Sequence, residues 1–247
     1  MGCGMRRMSR ARLADPCAVP SWKRVKDAAV HAATDPLTWA PATAAGAIYA
    51  AGVDQRIIDW ATTHNPVYGS VDNARDWSDG LRAAAICSYY LSLTGEVSRQ
   101  GLSGLLAPGA AGVATGLTAA GATSLLTSTT KTHSKRMRPD LSDRRSFPSG
   151  HTSTAAVHAT LASRSFRRLD VPAPMAIGLN TAAGFMAAGT AWARVEGDKH
   201  YLSDVLAGAA LGHFVGAFLN DLFLGTGSST RLSLKLDPSE EDRKSVV

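Results

Sequence analysis

Charged residues along this chain are clustered, and long stretches between the clusters carry none. Runs free of Asp, Glu, Lys and Arg extend over 36–53, 83–95, 100–130, 146–163, 171–193 and 205–220. Each reads as an apolar helix, which makes six, joined by polar loops. After the first, residues 54–64 (DQRIIDWATTH) set Ile57, Ile58 and Trp60 among charges, the pattern of a short amphipathic helix at an interface. Gly112 and Gly116, and then Gly208, Gly212 and Gly216, recur at a spacing of four, which puts small residues on one helix face for close packing. The expected fold is all-α: a six-helix transmembrane bundle over 36–224. A basic, loose or partly helical tail (1–35) precedes it and a polar tail (225–247) follows.

Mean hydropathy is −0.03, a value ordinarily met in soluble proteins, and much of the apolar content is Ala and Gly. A soluble bundle of buried, Ala-rich helices is therefore the competing architecture. The charge pattern favours the membrane. With the N-terminus inside, Arg6 to Lys26, Arg99, Arg164, Arg167 and Arg168 fall on the inner side, while Asp54, Asp59, Asp72, Asp76 and Asp79 fall on the outer side. Trp39, Trp77 and Trp192 lie near the ends of the expected spans, where interfacial aromatics belong.

The net charge of +6 matches no nucleic-acid-binding motif, so nucleic acid is not an expected partner. Cys3, Cys17 and Cys87 form neither a disulfide framework nor a zinc pattern. Met1-Gly2-Cys3 lacks the Ser or Thr that a myristoylation signal needs at position 6, which is Arg6. No secretory signal peptide is evident.

Three segments carry candidate chemistry: KTHSKRMRP (131–139), PSGH (148–151) and ARVEGDKHYLSD (193–204). Lys131, Arg138 and Arg194 supply cations, two of them guanidiniums able to grip phosphate oxygens through paired donors. Ser149 adds a hydroxyl, and Gly150 lets backbone N–H approach an anion. A helix starting at His151 would turn its positive end to the same anion. His200 and Asp204 stand four apart; on one helix face, the carboxylate would take the Nδ1 proton and leave Nε2 for attack. His151 remains to protonate a leaving group.

In that order the segments resemble the signature K-x6-R-P, P-S-G-H, S-R-x5-H-x3-D of the type 2 phosphatidic acid phosphatase superfamily. That superfamily also includes class A acid phosphatases, glucose-6-phosphatase and vanadium haloperoxidases. The resemblance implies that His200 forms a phosphohistidine, Asp204 orients it, and His151 acts as acid and then activates water. It implies that Lys131, Arg138, Ser149, Gly150 and Arg194 hold the phosphate. No metal or other cofactor is expected. Two departures stand out: Ala193 replaces the Ser before the third-segment Arg, and only residues 140–147 separate the first two segments. Extended, that connection spans at most ~26–29 Å, enough for the segments to converge.

Among the other histidines, His133 reads as exposed and His158 as either a support for the site or a core histidine, while His213 reads as a helix–helix hydrogen-bond partner. Lys135, Arg136, Arg144, Arg145 and Lys199 are candidates for steering an anionic headgroup. The expected activity is hydrolysis of a lipid phosphate or diphosphate at a membrane, with the site facing the periplasm or exterior of a bacterial inner membrane. The rivals are a soluble acid phosphatase of the same mechanism, a vanadium haloperoxidase and a catalytically inactive membrane scaffold.

Overall fold

The computed structural model describes residues 20–104, 109–169 and 171–225, with side chains undescribed over 96–104. Cys3 and Cys17, the tail before residue 20 and the tail after 225 lie outside the described residues. Those residues form eight helices and no strand: α1 (Trp22–Thr34), α2 (Pro36–Ala50), α3 (Asp54–His64), α4 (Val71–Gly104), α5 (Ala110–Ser134), α6 (Gly150–Phe166), α7 (Ala173–Glu196) and α8 (Leu202–Phe223). The six expected apolar helices correspond to α2 and α4–α8, with the 100–130 run straddling the end of α4 and most of α5. The count rises to eight because α1 and α3, whose charges keep them out of any apolar tally, are also helical.

Local chemistry sets the helix boundaries. Ser21 caps α1 by accepting from the Arg24 N–H at 3.3 Å. Asp35 caps α2 through the Leu37 N–H at 3.0 Å, and Pro36 occupies the first helical position, where its missing N–H costs nothing. α3 closes on Asn65, whose φ of 43° is the left-handed turn that Asn tolerates.

α6 is the central helix, packed on α8, α4, α7 and α5. The Gly208–Gly212–Gly216 stripe makes this close fit. A Cβ on Gly208 would lie 2.6 Å from the Ser149 carbonyl oxygen, and one on Gly212 would lie 2.3 Å from that of Ser153. This stripe is thus a helix-packing face. Gly112 and Gly116 do the same for α5 against Leu93 and Tyr89 of α4. The core is completed by Val157, Leu161, Phe166, Val215 and Leu219.

Among the described residues two helices, α5 and α8, are long and apolar enough to cross a membrane by length and composition. They differ in kind: 61% of the apolar window of α8 is buried in the bundle, against 33% of that of α5. The outer face of α5 leaves Val113, Leu117, Leu125 and Leu126 exposed. α2, at 15 residues, is shorter than the ~20 that a straight span requires.

The far end of α6 and α8 holds a cluster of charges. The buried Asp221 carboxylate accepts from Arg164 and pairs with His31 Nδ1 at 2.6 Å. Arg24 donates to the Asp221 carbonyl at 3.3 Å. His213 Nδ1 lies 2.8 Å from Thr160 Oγ1, the helix–helix bond expected of it, and its Nε2 is 3.2 Å from Asp35. These contacts dock α1 on α8, so the helical part of the N-terminal tail is packed on the bundle.

Candidate active site

α5 and α7 end, and α6 and α8 begin, at the end of the bundle opposite this charged cluster, so all three motif segments meet there. Lys131, in the last turn of α5, is nearly buried and donates to the Arg145 carbonyl. Gly150 opens α6 beside it. A Cβ there would meet Lys131 Cε at 3.9 Å and Thr127 Cγ2 at 3.6 Å, both ordinary contacts. The bare position therefore exposes backbone rather than relieving a clash. Ser149 is the N-cap of α6; its hydroxyl accepts from Thr152 Oγ1 at 3.0 Å, and its N–H donates to the Asp204 carbonyl at 3.0 Å. The first N–H groups of α6 lack intrahelical acceptors and point to this end.

His200 sits in the turn between α7 and α8 and is 1% exposed. It does not share a helix face with Asp204, as the spacing of four suggested. Asp204 is the third residue of α8, and its Oδ2 stands 3.9 Å from His200 Nδ1, beyond hydrogen-bond range. Its oxygens are engaged elsewhere: Oδ1 accepts from Arg136 at 2.6 Å, and Oδ2 accepts from the Tyr201 N–H at 3.0 Å and from the Ser146 hydroxyl. Among the described residues His200 Nδ1 has no hydrogen-bond partner, and neither does Arg194 Nε. Burial holds the His200 imidazole down to about 4, with Lys131 and Arg194 pushing the same way and the Asp204 carboxylate opposing. His200 is therefore neutral at pH 7, and the cations that the sequence grouped with it are close enough to act on it.

The remaining motif residues are tied to neighbours. Arg194 donates to Ser78 Oγ at 3.2 Å. Arg138 Nε donates to Asp143 at 2.8 Å, and Lys199 pairs with Asp140, so the 140–147 connection folds back on itself rather than stretching across. His151 Nε2 lies 2.8 Å from Asp79 Oδ1. Of the five cations considered for headgroup steering, Arg136 instead turns inward onto Asp54 and Asp204. His158 bonds the Thr154 carbonyl beside Tyr89 and Tyr90, which makes it a core histidine; His133 is exposed and bonds the Thr129 carbonyl.

Sequence reasoning missed the wall that α4 contributes. Arg75 donates to the Gly197 carbonyl at 2.9 Å, Ser78 receives Arg194, and Asp79 receives both His151 and Arg82. Asp54 and Ser146 were also missed. Behind Asp204, a groove of about 770 Å³ runs between α2 (Ala42, Ala45, Gly46) and α8 (Ala207, Ala210), with Ser134, Arg136 and Ser203 also in its lining.

Residues 111–224, which contain every motif residue of this site, match the PAP2 superfamily. This part of the chain is similar to the PAP2 superfamily. The lipid A 1-phosphatase of Porphyromonas gingivalis is 33% identical over 111 residues, which make up 43% of this chain and 24% of that protein. The chain thus spans about a quarter of the length of that relative. Among solved structures, a transmembrane PAP2-type phosphatidylglycerolphosphate phosphatase from Bacillus subtilis superposes with a TM-score of 0.55 at 22% identity, covering 74% of this chain and 92% of that one. That likeness is one of fold.

Proposed function

We propose that this protein is a phosphatase that removes a terminal phosphate from a membrane lipid by way of a phosphohistidine on His200. The observation that carries the proposal is the buried, neutral His200 imidazole at the meeting point of Lys131, Arg194 and the start of α6. Nε2 of His200 attacks phosphorus, the ester P–O bond breaks, and the leaving oxygen takes its electron pair and a proton from His151. Water then attacks the phosphohistidine, surrenders a proton to His151, and the P–N bond breaks to regenerate His200. Lys131, Arg138, Arg194, Ser149 and the Gly150 backbone balance the charge on the phosphoryl oxygens, the task a metal performs in other phosphatases. Asp79 orients His151 by accepting from its Nε2–H. Burial, with Arg194 and Arg82 pushing the same way and Asp79 opposing, lowers the His151 pKa to about 4, so the ring is neutral before substrate arrives. The proton it delivers to the leaving oxygen is one that a phosphate monoanion brings and hands to Nδ1 on binding.

A lipid substrate is supported by the unburied apolar face of α5, which a soluble acid phosphatase would leave in water. The neighbours whose names specify lipid phosphates point the same way. With α1 and Arg164 at one end and the motif segments at the other, the charge asymmetry supports a site that faces the outer side of a bacterial inner membrane. The test is phosphate release in sealed, right-side-out vesicles from externally added phosphatidic acid, phosphatidylglycerol phosphate, polyprenyl diphosphate and lipid A. Release is expected to persist in EDTA and to be blocked by vanadate, a mimic of five-coordinate phosphorus. Loss of activity in EDTA that magnesium or zinc restores would overturn the mechanism.

The α2–α8 groove further supports a hydrocarbon-bearing substrate, because Ala and Gly side walls together with Tyr49 and Phe147 give it a mainly apolar lining, while Ser203 in that lining adjoins Asp204. A Cβ on Gly46 would meet nothing within 4 Å, so a large side chain there projects into free space along the groove. Gly46→Trp is expected to lower kcat/KM for long-chain lipid phosphates on the order of tenfold, roughly the worth of two lost methylene contacts. Short-chain phosphates should be unaffected. An unchanged dependence on chain length would exclude the groove as the chain site.

A further inference from the structure

Arg136 lies two residues before the motif arginine Arg138, in a loop rich in cations, where nothing in the spacing separates it from its solvated neighbours. In the fold it is the most heavily engaged of them. Nη1 donates to Asp204 Oδ1 at 2.6 Å and to Ser203 Oγ at 2.7 Å, and Nη2 donates to Asp54 Oδ2 at 2.7 Å. Its guanidinium carbon lies 4.3 Å from the centre of the Tyr201 ring and 5.1 Å from that of Tyr49. Asp54, the first residue of α3, is itself nearly buried and accepts from the Ser203 N–H at 3.0 Å. One side chain thereby ties the starts of α3 and α8 to the loop after α5.

Asp204 is fully buried, and a buried carboxylate needs a counter-charge held in good geometry. The imidazole of His200 does not supply it, being neutral and 3.9 Å away. Arg136 does. Both of its terminal nitrogens are committed to carboxylates, so it is poorly placed to grip a phosphate as a bidentate cation. Its reach to the reaction is through Asp204.

We propose that Arg136 is a positioning residue, anchored by Asp54, that fixes the Asp204 carboxylate at its distance from His200. As His200 acquires the phosphoryl group its ring becomes cationic, and the held carboxylate is then available to stabilise it without first reorienting. This inference rests on the reading of His200 and Asp204 as nucleophile and orienting group.

The test is a double-mutant cycle on the full chain in detergent, with a lipid phosphate as substrate and vanadate as the probe of the cradle. Arg136→Ala is expected to lower kcat about 10–100-fold, the range usual for a residue that orients a reacting group from behind. KM and vanadate inhibition should stay within about twofold. Asp54→Asn should give a smaller loss of the same kind, and Arg136→Lys, which keeps the charge but not the fork, an intermediate one. In an Asp204→Asn background, Arg136→Ala should cost little more, because the two act as a unit. Equal losses in both backgrounds, or a raised KM and weakened vanadate binding at unchanged kcat, would overturn the inference and make Arg136 a substrate cation. Unfolding of both Arg136→Ala and Arg136→Lys would make it a purely structural clamp. An Asp204→Asn variant with full activity would remove the underlying reading as well, and is distinguishable because it needs no change at Arg136.

Discussion

Replacing His200 with alanine is expected to abolish both turnover and the trapped phosphoenzyme. The imidazole is buried at the meeting point of the three segments and neutral at pH 7, since burial and two neighbouring cations hold its pKa at about 4. His151→Ala should behave differently. The first P–O cleavage then lacks a proton donor, and turnover falls by something on the order of 10²–10⁴-fold, while vanadate still binds. Rapid quenching with labelled substrate reads both effects, and near-normal turnover by His200→Ala would sink the mechanism.

A second large effect is expected at Gly212, far from the chemistry in function but not in packing. Its missing Cβ would sit 2.3 Å from the Ser153 carbonyl oxygen and 2.9 Å from Ala156 Cβ. The nearer atom is backbone within a helix, so it cannot swing aside. Gly212→Leu is expected to reach or exceed the upper end of the ~1–3 kcal/mol typical of overpacking, seen as a lowered Tm in detergent. Gly46→Leu, facing open space, is the control and should leave Tm unchanged. Equal Tm values for the two would contradict the close α6–α8 fit.

The residues that meet at the site were legible because each motif segment carries its chemistry in a short run, and because the uncharged stretches locate the helix ends that present those runs. What spacing alone got wrong was the relation of His200 to Asp204. A separation of four fits one helix face, but α8 starts between the two residues, at Leu202, and Asp204 reaches back to the Tyr201 N–H instead. The part played by α4 was hidden for another reason. Its first turns, 71–82, are acidic and basic, and by hydropathy they belong to a loop outside the apolar run. A helix once nucleated extends cheaply into polar sequence, and this extension delivers Ser78 and Asp79 to the motif residues. Arg136 was hidden because nothing in a run of loop cations says which one turns inward; its partner Asp54 lies 82 residues earlier in the chain.

The charged knot on α1 bears on where the chain tolerates shortening. By composition, everything up to residue 35 looks dispensable. A truncation made there would remove His31 and Asp35 together, stripping Asp221 of one partner, His213 of its carboxylate neighbour, and Arg164 of the more distant of its two anions at 3.9 Å. Those orphaned groups sit against the last turns of α8, whose other end carries Asp204. A cut placed before Ser21 leaves the knot and the α1 cap whole. Purification tags and fusion partners are therefore better joined upstream of that serine than at the edge of the first apolar stretch.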